Sequence, residues 1–244
     1  MKIIDCQQYT PEWWLARRGL PTASVASRII TPAKGEYSKS ADGLICELLA
    51  QQYDPSYGVY DDYQTAAMKN GSLLEPEARR FYEFHRNADV IQVGFCTTDD
   101  GTAGCSPDGL IGDDGLLEIK SPEAKTQVAY LLGGGLPAEY KPQVHWHLAV
   151  TGRAWCDFIS YSRGLPPLLL RIVPDDYTKQ VRAHMARFVA ELAEAREKLS
   201  AVIGAVTAST ADAASKTACA KKNDNDVALF GSNAKPMTHD LPLE

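Results

Sequence analysis

The sequence predicts an α/β (α+β) fold, a central mixed sheet flanked by helices. Three observations point to it. Residues 104–122 read as two short strands joined by a turn, and apolar positions at helical spacing stand on both sides of that stretch. Two further strand-like runs, Ala154 to Ser160 and Leu168 to Val173, then follow a helical segment.

Taken in order, Thr10-Pro11-Glu12 opens a helix, with threonine as cap and proline in the first turn. Trp13 and Trp14 read as core. Arg17-Arg18-Gly19 closes the helix, its arginines suited to the negative end of the helix dipole. Thr22-Ala23-Ser24 opens a second short helix through Ile30, and Ser40 to Tyr53 is amphipathic through Leu44, Ile45, Leu48 and Leu49. A strong helix runs from about Leu73 to Asn87. In it Glu75 has two readings. Ser72-Leu-Leu-Glu75 fits a capping box, with Glu75 reaching back to a backbone N–H. Alternatively, Glu75 is a helix-borne carboxylate facing the central stretch.

Val90 to Thr98 is strand-like, and Asp99-Asp100-Gly101 turns into the central stretch. There Leu110-Ile111 closes one strand, Gly112 to Gly115 turns, and Leu116 to Lys120 opens the next. Side chains alternate along a strand, so Leu117 and Ile119 face one way and Leu116, Glu118 and Lys120 the other. Helices follow from Glu123 to Leu132, ending at a glycine connector, and from Pro137 to Val150. In the latter, residues 143 and 147 share a face whereas His145 and His147 do not, which makes the histidines a poor metal pair. Asp175 caps a last helix ending near Ile203. From residue 206 to 244 the composition turns to Ala, Ser, Thr, Lys, Asn and Asp, expected to be a poorly ordered tail outside a single domain spanning 1–205.

An apolar fraction of 45% with 23% charged residues is that of a globular protein, and no run approaches a membrane span. The six cysteines are scattered, which favours reduced, buried thiols over zinc or an iron–sulfur cluster. A net charge of −6 excludes a diffuse nucleic-acid binder. Any such contact is local.

The central hairpin carries the chemistry. It can bring Asp108 beside Glu118 and Lys120: two hard oxygen ligands suited to Mg²⁺ and a lysine able to stabilise charge on a phosphate. A plain surface hairpin with a Glu/Lys pair is the alternative. Arg17 beside a hydroxyl-capped helix start would likewise make an anion pocket, or else be a solvated charge.

Pro107-Asp108…Glu118-Ile119-Lys120 resembles the proline-aspartate…glutamate-x-lysine signature of restriction-endonuclease-like nucleases. Further segments agree in order with one group of them: Trp14-Leu-Ala-Arg17-Arg-Gly19, Thr22-Ala-Ser24, Leu74-Glu75 through Ala78-Arg79 and Phe81, Cys105-Ser-Pro-Asp-Gly-Leu110, Leu117-Glu-Ile-Lys-Ser-Pro122, and Gln143-Val144. In these the chain is similar to the phage lambda exonuclease group, the YqaJ viral recombinase family, over roughly residues 8 to 200.

The resemblance implies a restriction-endonuclease-like core and a Mg²⁺-dependent 5′→3′ double-strand DNA exonuclease. It would release 5′-mononucleotides and leave 3′ single strands for a phage-type annealing partner. By it, Asp108 and Glu118 hold the metal, two ions per site with Mn²⁺ able to substitute. The Ile119 carbonyl and Glu75 assist, and Lys120 positions the attacking water. Arg17, Ser24, Ser106 and Gln143 match the positions that hold the 5′-phosphate. It further implies a homotrimeric ring around DNA, no membrane association, and a phage- or prophage-encoded protein of the bacterial cytosol. A sequence-specific endonuclease on the same fold, or a catalytically inactive DNA-end-binding protein, are the alternatives.

Overall fold

A computed structural model describes residues 1–54, 57 and 66–229, with side chains for 1–54, 57 and 73–207. The chain divides into two compact units, Met1–Glu194 and Ala195–Glu244.

The first unit holds two sheets. Strands β1 (Lys2–Ile4), β2 (Phe95–Thr97) and β3 (Gly104–Cys105) form an antiparallel sheet in that order. Strands β4 (Gly109–Ile111), β5 (Gly115–Lys120), β6 (Trp155–Ser160) and β7 (Leu168–Ile172) form a mixed one, with β5 and β6 parallel and the outer pairs antiparallel. The parallel pair is possible because helices α4 (Ala124–Gly133) and α5 (Lys141–Thr151) supply the crossover between them. Gly134 and Gly152, both with positive φ, end those helices.

The alternation of β5 decides the layers. Leu117 and Ile119 pack with Ile111, Ile159 and, from helix α3 (Ala66–Arg86), Ala78 and Tyr82. Leu116 packs on the opposite face with Leu110, Cys156, Phe158 and, from α5, Val144 and Leu148. Each leucine buried this way contributes roughly 1.5–3 kcal/mol. Glu118, one residue on from Leu117, therefore faces α5 from within a sheet covered on both sides.

Helix α1 (Pro11–Arg17) starts as its sequence requires, the Thr10 side chain accepting from the Trp13 backbone N–H at 3.4 Å. A 3₁₀ helix spans Ala23–Arg28, and α2 spans Ala41–Tyr53. The break after Tyr53 falls largely on residues 55–65, outside those described.

Local structure goes beyond the sequence expectation at several points. Strand β1 is too short to be read from its own pattern and exists through its pairing with β2. The strand-like run from Val90 reduces to β2, with Ile91 making only an isolated bridge to Leu110. Cys96 and Cys105, remote in sequence, are register partners across β2 and β3, and both are free thiols. Finally, α3 begins at Ala66 rather than near Leu73 and carries Pro76 in its interior. Residue 72 is thus inside the helix, and the capping-box reading of Glu75 is withdrawn.

The last helix, α6 (Asp176–Leu229), does not stop near Ile203. Gly204 weakens a helix without ending it, and the alanine-rich sequence beyond favours continuation. Residues 230–244 of the tail read from composition lie outside those described. Among the described residues no helix is long and apolar enough to cross a membrane.

Candidate active site

The β4–β5 ladder places the carboxylates. Gly109 is opposite Leu117, and the pairing continues one step outward, with the Asp108 N–H donating to the Leu117 carbonyl at 3.0 Å. Asp108 Oδ2 in turn accepts from the Ile119 N–H at 2.6 Å. That sets Asp108 beside Glu118 at the sheet's end.

Glu118 is 1% exposed. Its Oε1 accepts from Lys120 Nζ at 2.7 Å and from Gln143 Nε2 at 2.6 Å. Its Oε2 lies 2.9 Å from His147 Nε2, and neither of these buried atoms has a well-formed hydrogen bond among the described residues. Burial alone would raise the Glu118 pKa, but Lys120 and His147 outweigh it and pull it down to about 2. Lys120 is the converse case: burial opposes its charge, Glu118 and Asp108 restore it, and its pKa ends above the usual lysine value. Asp108 keeps some exposure as a residue, yet desolvation of its carboxyl, then the charges of Glu118 and Glu75, push its pKa well up against the pull of Lys120. The pair holds more negative charge than one lysine relieves.

Those features fit a divalent cation. Glu118 Oε2 is a buried oxygen without a hydrogen bond, and Asp108 beside it is a carboxylate short of positive charge. No group of three or more His, Cys, Asp or Glu at metal-holding spacing occurs among the described residues. Mg²⁺ does not need one, since it binds through one or two carboxylates and completes its shell with water and substrate phosphate. The Ile119 carbonyl belongs to the same strand.

Glu75 sits on α3, ion-paired with Arg79 one turn later. Its charge is felt at Asp108 and at the Tyr9 phenol, which locates it on the rim of the carboxylate pair.

A second cluster gathers at Arg17, in the last turn of α1. Its guanidinium donates to Ser106 Oγ at 3.2 Å, Thr22 Oγ1 at 3.3 Å and Ser24 Oγ at 3.1 Å. It also lies 4.1 Å from the centre of the Trp13 ring. The Trp13 indole N–H is shared between the Gly94 carbonyl and Ser106 Oγ, so this tryptophan packs the core and braces the cluster. Among the described residues Arg17 forms no ion pair, and burial lowers its pKa to about 10. A cavity of about 270 Å³ opens beside Arg17, Thr22 and Ser24.

The structure thus brings Asp108, Glu118, Lys120 and Gln143 together, and separately Arg17, Ser24 and Ser106. Gln143, grouped by resemblance with the phosphate contacts, is hydrogen-bonded to Glu118. Two residues were missed. Thr22 stands in the same Thr-Ala-Ser run as Ser24, and His147 shares a helical face with Gln143, so both signals were present. His145 turns the other way, its Nδ1 2.8 Å from Thr178 Oγ1.

Residues 12–154 match the model of the YqaJ-like viral recombinase domain. The chain belongs to the YqaJ-like viral recombinase family. The matched stretch contains every residue of both clusters. The crystal structure of LHK-Exo, an alkaline exonuclease from Laribacter hongkongensis, is similar to this YqaJ-like chain with a TM-score of 0.71 and 34% identity, over 81% of this chain and 100% of that one. LHK-Exo in complex with dAMP gives 0.65 at 34% identity, over 79% and 100%. No curated protein matches significantly.

Proposed function

We propose that this protein is a divalent-metal-dependent 5′→3′ exonuclease of double-stranded DNA, releasing 5′-mononucleotides and leaving a 3′ single strand. The observation that carries it is the Arg17 cluster: a largely desolvated guanidinium with three hydroxyl partners and, among the described residues, no ion pair, joined through Ser106 to a segment that reaches the carboxylate pair two residues later. An anion site next to a phosphodiester-cleaving centre suits an enzyme that counts from a phosphorylated end.

Arg17, with Thr22, Ser24 and Ser106, holds the 5′-phosphate through a fork of charge-assisted hydrogen bonds. Lys120, kept charged by its carboxylate neighbours, stabilises negative charge building on the scissile phosphate. Gln143 fixes Glu118 from α5. Asp108, Glu118 and the Ile119 carbonyl hold the metal, with Glu75 at the rim. When bound, Mg²⁺ or Mn²⁺ supplies a more acidic water and neutralises phosphate charge. Each cut exposes a new 5′-phosphate for the Arg17 cluster, which favours continued digestion. That LHK-Exo binds dAMP accords with a mononucleotide product. A trimeric ring around DNA, a single-strand annealing partner and a place in the cytosol of a phage-carrying bacterium complete the reading.

The test is digestion of a linear duplex with 5′-phosphate or 5′-hydroxyl ends, beside a closed circle, in Mg²⁺, Mn²⁺ or EDTA. Metal-dependent mononucleotide release from phosphorylated ends, sparing the circle, is the expected result. Fragments from the circle would mean an endonuclease. End binding without cleavage in either metal would mean a binding protein.

A further inference from the structure

A second cavity, of about 560 Å³, lies beside Tyr9, whose ring touches that of Trp13. Its walls include Gln7, Tyr9, Glu75, Arg79 and Gln92. The volume falls within the range of roughly 300–1,000 Å³ typical of small-molecule clefts. Arg79 is paired with Glu75, so the cavity carries little net charge. With the Glu75 charge offset and glutamine amides on its walls, it suits a neutral, polar, flat group rather than a phosphate.

Tyr9 is the distinctive wall. It is 59% exposed, an unusual setting for a ring beside a charged site. Its backbone has φ of 67°, the left-handed region that non-glycine residues rarely occupy and that collects at ligand clamps. The loop is pinned there. The Gln8 side-chain amide donates to the Val93 carbonyl at 3.0 Å and to the Pro107 carbonyl at 3.2 Å, the latter adjoining Asp108. The Tyr9 ring centre lies 5.2 Å from that of Trp13, whose other neighbour is Arg17. Tyr9 is thus tied through Trp13 to Arg17 and through the neighbouring Gln8 to the residue before Asp108.

We propose that Tyr9 and this cavity receive the nucleobase of the 5′-terminal nucleotide, the ring stacking on the base while its 5′-phosphate is held by Arg17. Stacking tolerates any base because every base has a π face. Glutamine amides, which both donate and accept, likewise select no sequence. The subsite gives grip on the nucleotide about to leave without a preference for its identity. It rests on the exonuclease reading above.

The test uses a 5′-phosphorylated duplex whose terminal nucleotide is 2-aminopurine, or an abasic tetrahydrofuran unit. Tyr9→Gly removes the ring and relaxes the left-handed backbone, so its effect is not one of misfolding. Tyr9→Phe keeps the stacking face. In EDTA, wild type and Tyr9→Phe should quench 2-aminopurine emission on binding, and Tyr9→Gly should not. In metal, Tyr9→Gly should raise KM for the normal end about tenfold with kcat nearly unchanged, and should lose the wild-type preference for a normal over an abasic terminus. Equal handling of normal and abasic ends by the wild type, or unaltered quenching in Tyr9→Gly, would overturn the proposal. If the wild type cut no DNA at all, the exonuclease reading would fail, and quenching in EDTA would still decide for or against the base subsite.

Discussion

Arg17 donates to Ser106 Oγ across 3.2 Å, linking the end of α1 to a residue two places before Asp108. The contact spans 89 positions of sequence. It makes the distance from the anion site to the carboxylates a property of short, stiff segments rather than of a flexible side chain. The five predictions that follow test the two clusters and the frame that sets them.

Arg17→Ala removes the cationic member of the hydroxyl cluster. Losing a charge-assisted hydrogen-bonding group costs about 1.5–3 kcal/mol, roughly 10–100-fold in the preference for a phosphorylated end. Arg17→Lys keeps the charge without the fork and should fall between. Rates on 5′-phosphate and 5′-hydroxyl duplexes give the ratio directly.

Lys120→Ala and Glu118→Gln should each lower cleavage by about 100-fold or more, since both act on the charge of the transition state. End binding in EDTA, followed by gel shift, should persist. Cleavage within a few-fold of wild type in either variant would place the chemistry elsewhere.

Asp108→Asn should separate function from stability. Without metal, the carboxyl is pushed up in the folded state by desolvation and by Glu118 and Glu75. Its charge therefore costs stability increasingly as pH rises from the unfolded value toward the folded one. In EDTA at neutral pH the amide should melt higher than wild type, while cleavage in metal is lost.

His145 gives a pH dependence of opposite sign. It is 2% exposed, and burial holds its pKa below the ordinary histidine value, assisted by Lys141 and opposed by Asp175. The unfolded chain therefore takes up a proton before the folded one does. The resulting stability is fully present above the unfolded value of about 6.5 and is lost as pH falls below it, by at most about 1.4 kcal/mol per pH unit. Urea melts between neutral and mildly acidic pH should show this slope, reduced in His145→Gln.

Gly94 is where backbone closeness matters. A Cβ there would sit 1.9 Å from the Cys6 carbonyl oxygen, and the Gly94 carbonyl is itself the acceptor for Trp13. Gly94→Ala should cost about 1–3 kcal/mol and disturb the Arg17 cluster through Trp13. Gly133→Ala, where the added carbon meets nothing within 4 Å, is the control. Urea midpoints compare the two.

Local chemistry was legible because its cause was local. The turn at 112–115, the two faces of β5, the Thr10 cap and the glycine end of α4 follow from side-chain alternation, hydroxyl capping and positive φ within a few residues. So does the proximity of Asp108 to Glu118, since a short hairpin leaves little choice of register. Glu75 kept two readings because a Ser-x-x-Glu pattern looks the same at a helix start and inside a helix, and only the neighbouring turn of α3 distinguishes them.

By itself, the sequence determined the α/β class, the carboxylate–lysine hairpin and an anion pocket at Arg17 beside the Thr22-Ala23-Ser24 helix start, because these depend on residue type and short spacing; Ser106 and Gln143 entered only through the family resemblance. Only the tertiary structure decided that Gln143 and His147 close on Glu118, that Thr22 joins Ser24 and Ser106 around Arg17, and that β1 and β2 pair. Those contacts cross from 5 to more than 90 residues of chain, where nothing in the local pattern names the partner and the packing of α1, α5 and the two sheets selects it.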